Sequence, residues 1–153
     1  MRWRWLIPAL ALIGWFIMRK NNQIDMVART IYGEARGAGR EGMQAVANVI
    51  KNRVDAKSWM GKSFLDVVFK DYQFSAWNEG DPNRVKMLAV NDSDPAFAQA
   101  REIATAAILG DLEDITGGAL HYHTTGVNPP WATSPGATVS ARIGTHIFYT
   151  GVA

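Results

Sequence analysis

Apolar residues run without a break from Leu6 to Met18, and from Asn22 onward they recur at helical spacing instead. Ile24, Val27, Ala28 and Ile31 fall at i, i+3, i+4 and i+7, which predicts an amphipathic helix capped by Asn21 or Asn22 and stopped by Gly37 and Gly39. A second stripe, Met43, Val46, Ala47, Ile50 and Val54, predicts a helix over about 40–54, accompanied by a polar line of Asn48 and Asn52. Ser63-Phe64-Leu65-Asp66 has the form of a capping box and opens a short helix through Phe69. Residues 71–94 show little periodicity and many turn formers. Asp94-Pro95 then supplies an N-cap and a first-turn proline for a helix that reaches Leu109 and stops at Gly110, burying Phe97, Ala100, Ala104, Ala107 and Ile108. After Gly117-Gly118, the segments 119–123 and 144–149 read as two strands pairing antiparallel. The pattern is mainly α with a small hairpin.

The apolar run 6–18 is flanked by Arg2, Arg4, Arg19 and Lys20. As a helix it would span roughly 20 Å at 1.5 Å per residue, somewhat less than a hydrocarbon core of about 30 Å. It ends in Met18-Arg19-Lys20 rather than in the small residues of a cleavage site, so an uncleaved signal-anchor, or transmembrane segment, is expected over residues 1–20. The catalytic or binding body would then be residues 21–153. Those four cations account for the basic balance of the chain, whose net charge is +2. The body is left slightly acidic, which argues against a nucleic-acid partner. There is no cysteine, which excludes disulfides and thiol chemistry.

Within the body, Glu34 is the carboxylate of most interest. It lies one turn beyond Ala28 and Ile31 on nearly their side of the helix, so it points inward or into a cleft. Desolvation there would raise its pKa and keep a proton for delivery to a glycosidic oxygen. A salt-bridged surface residue, paired with Arg36 or Arg40, is the other reading. Tyr32, Gln73, Phe74, Ser75, Trp77, Tyr122, Trp131 and Tyr149 suit a sugar-binding groove, although aromatics at such positions also build cores. His121 and His123 share one strand face, and His146 on the partner strand would complete three zinc ligands. Those ligands would support zinc-dependent hydrolysis, as in an amidase or endopeptidase; a hydrogen-bonding, cleft-lining role is the alternative.

Five blocks of this sequence, Ile31-Tyr32-Gly33-Glu34-Ala35-Arg36-Gly37, Ala45 to Val54, Gln73-Phe74-Ser75-Ala76-Trp77, His121-Tyr122-His123 with Pro130-Trp131-Ala132, and Gly144 to Tyr149, occur in an order that resembles the cell wall hydrolase family of the spore cortex-lytic (SleB) type. The resemblance implies a lysozyme-like α+β domain that cleaves peptidoglycan glycan strands between N-acetylmuramic acid and N-acetylglucosamine. It places the essential acid on Glu34 and the substrate groove on the residues named above, His121 and His123 included. It implies no metal or other cofactor and favours a lytic transglycosylase over a muramidase. Together with the N-terminal segment, which resembles a signal-arrest-release segment, it suggests a monomeric phage endolysin acting from the bacterial inner membrane, with its catalytic domain in the periplasm and host lysis as its role. A membrane-tethered wall-binding protein without catalysis is the remaining alternative.

Overall fold

The computed structural model describes the backbone of residues 6–153 and the side chains from residue 10 onward. The expectations that rest on Arg2 and Arg4, and on the side chains of residues 6–9, lie outside the described residues.

The first correction concerns the helix cap expected at Asn21 or Asn22. One helix, α1 (Leu6–Ala35), runs 30 residues through both predicted segments, and Asn21 and Asn22 cap nothing. Asparagine is a poor helix residue but not a breaker, costing well under about 1 kcal/mol, and no proline or glycine lies between Gly14 and Gly33. The first part of α1 stands in solvent, with Leu10, Leu12, Ile13, Trp15, Phe16, Ile17 and Met18 all exposed. No helix among the described residues is long and apolar enough to cross a membrane.

The second part of α1 enters the core with the predicted stripe, and Val27, Ala28 and Ile31 are fully buried. A turn of 3-10 helix, Arg36–Ala38, leads to α2 (Gly39–Ala56). The expected stripe of α2 packs on α1 through Met43, Val46, Ala47 and Ile50, while a second one, Ala45 and Val49, faces the sheet beside Ala119, Ile143 and Phe148. Buried on both sides, α2 is the central element. Side chains of this kind each contribute roughly 1.5–3 kcal/mol on full burial. The polar line of α2 is used too: Asn48 donates to the Glu113 carbonyl at 2.9 Å and accepts from the Ile115 amide at 3.1 Å, so it moors the chain leaving the last helix.

Ser63 caps α3 (Phe64–Val68) by accepting from the Asp66 amide, as its motif implied. A helix not read from the sequence follows at α4 (Pro82–Ala89), where Asp81 accepts from the Asn83 amide and Pro82 stands in the first turn. Helix α5 (Pro95–Leu109) has its expected bounds, with Asp94 as N-cap and Gly110 beyond its end at φ 84°.

The sheet has three strands rather than two. β1 (His121–Thr124), β2 (Thr138–Ile143) and β3 (His146–Thr150) lie in the order β1-β3-β2, all antiparallel. β2 is an edge strand with a bulge between Val139 and Ala141, and its mostly exposed Thr, Ser and Arg positions carry little apolar signal. In the β1–β3 register His121 faces Tyr149, Tyr122 faces Phe148, His123 faces Ile147 and Thr124 faces His146.

Candidate active site

Glu34 occupies the last turn of α1, where the helix meets the Ser75–Trp77 turn and β1. Its Oε1 accepts from the Ala76 amide at 3.0 Å, and its Oε2 accepts from the Tyr122 hydroxyl at 3.1 Å. Glu34 also lines a pocket of about 330 Å³, together with Ala35, Gly37, Ala38, Thr124, Gly144, Thr145 and His146. Small residues keep that side open. The alternative of a surface ion pair is not what forms: Arg36 donates to the Asn83 side chain at 2.8 Å and Arg40 pairs with Glu102 at 3.1 Å.

Burial raises the pKa of Glu34 above the ordinary carboxylate value. The Ala76 N–H and the Tyr122 O–H oppose the shift, Asp81 adds to it and Arg53 draws it down. Desolvation outweighs the two donors, so the group keeps its proton further toward neutrality than a surface glutamate does. Tyr122 is itself pushed well above the usual phenol range, chiefly by burial and then by the charge of Glu34, and remains a donor.

Register divides the other expected site residues between the two faces of the sheet. Directly paired residues share a face, so Tyr122, Thr124, His146 and Phe148 lie toward Glu34, while His121, His123, Ile147 and Tyr149 lie on the opposite face. Tyr122 stacks on Phe148 and meets His146 edge-on. On the far face His121, His123, Tyr149 and Trp131 form one aromatic cluster, with the His123 Nε2 and the Tyr149 hydroxyl 3.0 Å apart. The three-histidine zinc site does not form, because His146 is on the wrong face to join His121 and His123. Among the described residues no three metal-binding side chains converge.

Three further residues expected in a groove are held by contacts with the core. Tyr32 is buried, edge-on to Phe97, with its hydroxyl donating to Asp94 at 2.9 Å. Phe74 is fully buried in the core. Trp77 donates its indole N–H back to Thr30 at 2.9 Å and packs on Phe69. In the same segment Ser75 is exposed and Gln73 half-buried.

Arg53 is the residue that sequence reasoning missed. It is 4% exposed, donates through Nε to the Leu120 carbonyl at 2.8 Å, and holds its guanidinium 5.3 Å from the centre of the Phe74 ring. A signal was present: Arg53 follows Val46, Val49 and Ile50 at helical spacing, a cation in an apolar stripe.

Known proteins share this fold. Residues 37–149 match the Cell Wall Hydrolase family, a match that starts just after Glu34. The chain belongs to the cell wall hydrolase family. As a member it is an enzyme of that class. It is 35% identical over 133 residues to the spore cortex-lytic enzyme of Bacillus subtilis (strain 168), covering 84% of this chain and 37% of that protein. It is 36% identical over 130 residues to the spore cortex-lytic enzyme of Oceanobacillus iheyensis, covering 83% and 41%. The chain thus spans about two fifths of the length of these curated relatives. The crystal structure of the catalytic domain of the Bacillus cereus SleB protein superposes with a TM-score of 0.65 at 29% identity, over 85% of this chain and 91% of that one. The catalytic domain of the germination-specific lytic transglycosylase SleB from Bacillus anthracis gives 0.61 at 30% identity, over 84% and 94%. The mainly helical fold with a small antiparallel sheet is therefore the fold of this family's catalytic domain.

Proposed function

We propose that this cell wall hydrolase is a lytic transglycosylase that cuts peptidoglycan between N-acetylmuramic acid and N-acetylglucosamine, with Glu34 as its acid and then its base. The observation that carries the reading is a single desolvated carboxyl, held by two donors and open to a small-residue pocket. In the first step the Glu34 proton passes to the glycosidic oxygen, the bond from that oxygen to the muramyl C1 breaks, and its electron pair leaves with the oxygen. In the second, the muramyl C6 hydroxyl attacks C1 and gives its proton to the Glu34 carboxylate, which restores the starting acid. One carboxyl suffices for both steps.

A muramidase would need a second carboxylate to activate water. Asp81 is the other acid acting on Glu34, but its Oδ1 already accepts from the Asn83 amide as the cap of α4. Asp66 accepts from the Lys62 amide beside the cap of α3. The likeness to a structure described as a lytic transglycosylase points the same way. We also infer that residues 1–20 tether the enzyme to the bacterial inner membrane, facing the periplasm as a monomeric endolysin does, because the described part of that segment exposes apolar side chains all round.

Mass spectrometry of fragments released from purified peptidoglycan tests the chemistry. Anhydromuramyl ends that vanish in Glu34→Gln support the transglycosylase. Reducing muramic ends with the same dependence would make the enzyme a hydrolase, and free stem peptides would overturn the glycan reading. Fractionation of expressing cells, with and without residues 1–20, tests the tether: enzyme found equally in the soluble fraction in both cases would refute it.

A further inference from the structure

The two groups that hold the Glu34 carboxyl come from distant segments, Ala76 from the turn after α3 and Tyr122 from β1. Each is tied to the same third residue. Phe74, two positions before Ala76, lies under the Arg53 guanidinium, and Leu120, two positions before Tyr122, gives its carbonyl to Arg53 Nε at 2.8 Å. Arg53 reaches both from α2, the central helix, whose backbone is fixed by burial on two sides. Its Nη1 is buried and has no hydrogen-bond partner among the described residues.

An interior cation with an unused donor is costly unless a negative charge answers it. The charges acting on Glu34 come from two elements, Asp81 at the cap of α4 and Arg53 on α2, while the neutral Tyr122 hydroxyl on β1 acts as a hydrogen-bond donor. His146 on β3 borders the same pocket, and burial disfavours its charged form. Arg53 is thus the cation of the set. Its negative counterpart is absent while Glu34 is protonated and is created when the proton leaves.

We propose that Arg53 is a positioning residue for Glu34, clamping together the two segments that grip its carboxyl and supplying the buried positive charge that holds the carboxylate between proton donation and proton return. The inference rests on Glu34 being the acid. Arg53 touches neither substrate nor the reacting atoms in this role.

The test uses the full chain with purified peptidoglycan as substrate, and follows kcat and kcat/KM across the pH range. For a catalytic acid, kcat/KM falls on the alkaline side as Glu34 loses its proton in the free enzyme. Arg53→Met removes the charge with little change of volume and should move that alkaline limb to higher pH, because the Arg53 charge draws the Glu34 pKa down. It should also lower kcat on the order of tenfold. Arg53→Lys keeps the charge and loses the fork, so its limb should stay where it is in the wild type while kcat falls several-fold.

An unmoved limb in a folded Arg53→Met protein would overturn the charge role. Full kcat in Arg53→Lys would overturn the clamp, and this second variant decides if the first does not fold. Glu34→Gln, measured alongside, separates the two levels. If it retains cleavage, the acid assignment fails and the role of Arg53 with it; if it is inactive while the Arg53 variants behave as wild type, only the present inference fails.

Discussion

Replacing Gly33 by alanine should damage the enzyme by moving a group that Gly33 never touches through a polar contact. A Cβ built on Gly33 would stand 2.8 Å from the Ala76 Cβ and 3.0 Å from the Met87 sulfur. The sulfur is the end of a flexible side chain, whereas the Ala76 Cβ is attached directly to backbone. Restoring an ordinary 3.4 Å contact means pushing the Ser75–Trp77 turn about 0.6 Å away from α1. The Ala76 N–H that Glu34 accepts is part of that turn, and its 3.0 Å hydrogen bond would stretch beyond useful range. Losing a hydrogen bond to a charged group costs about 1.5 kcal/mol or more, hence a roughly tenfold fall in rate where the carboxylate must be stabilised. The same loss removes one of the interactions that draw the Glu34 pKa down, so the alkaline limb of the rate should shift to higher pH. Stability is the other readout. Alanine gains about 1 kcal/mol of helix propensity, and overpacking costs typically 1–3 kcal/mol, which leaves a net loss of up to roughly 2 kcal/mol. Thermal melts and release of dye from labelled peptidoglycan measure both. A higher melting temperature with unchanged activity would show that the turn is not set by this contact and would refute the reasoning.

Tyr122→Phe removes the other donor and should lower the cleavage rate by on the order of tenfold with little change in Kd for the glycan, checked by the same dye-release assay against a binding measurement. Glu34→Gln should raise stability at alkaline pH: burial raises the pKa of Glu34, so its ionisation weakens the fold above that raised value, and this handicap disappears as pH falls through it. Melting curves of the two proteins should therefore converge in acid. Asn48→Ala strips both partners from the buried Glu113–Ile115 mooring and should cost about 1–3 kcal/mol by denaturant unfolding. EDTA should leave cleavage unaffected, since the strand register keeps His146 from the other two histidines; a chelator-sensitive, zinc-restored activity would contradict this.

The helical part of the fold was legible because its signals are local. The stripes of α1, α2 and α5, the Ser63 box and the Asp94-Pro95 cap need no information from elsewhere in the chain. Asp81-Pro82 is the same cap-and-proline pair as Asp94-Pro95, yet α4 went unread because it buries only Met87 fully and lacks a stripe. β2 was hidden for a related reason: Thr-Val-Ser-Ala-Arg-Ile alternates, but it buries only Ile143, leaving Val139 exposed and Ala141 small, so its apolar signal is faint. The site divides similarly. Glu34 could be read from its place beside Ala28 and Ile31. The faces of the three histidines could not, because a shift of one residue in register exchanges every side chain between faces and nothing in a single strand fixes that register. Arg53 had a sequence signal, but its meaning depends on Phe74 and Leu120, which only the folded chain brings to it.

The pleat of β1 has a consequence for how this enzyme can be altered. Tyr122 donates to Glu34 and Thr124 lines its pocket, while His121 and His123 join Trp131 and Tyr149 on the reverse side, so neighbouring residues of one short strand belong to separate surfaces. Redesign of the aromatic cluster can therefore proceed largely independently of the proton chemistry, with substitutions on the two sides combining near additively. Within one side they should not. A library varied at positions 121, 123, 131 and 149 would sample new surfaces while the contacts of Glu34 stay fixed.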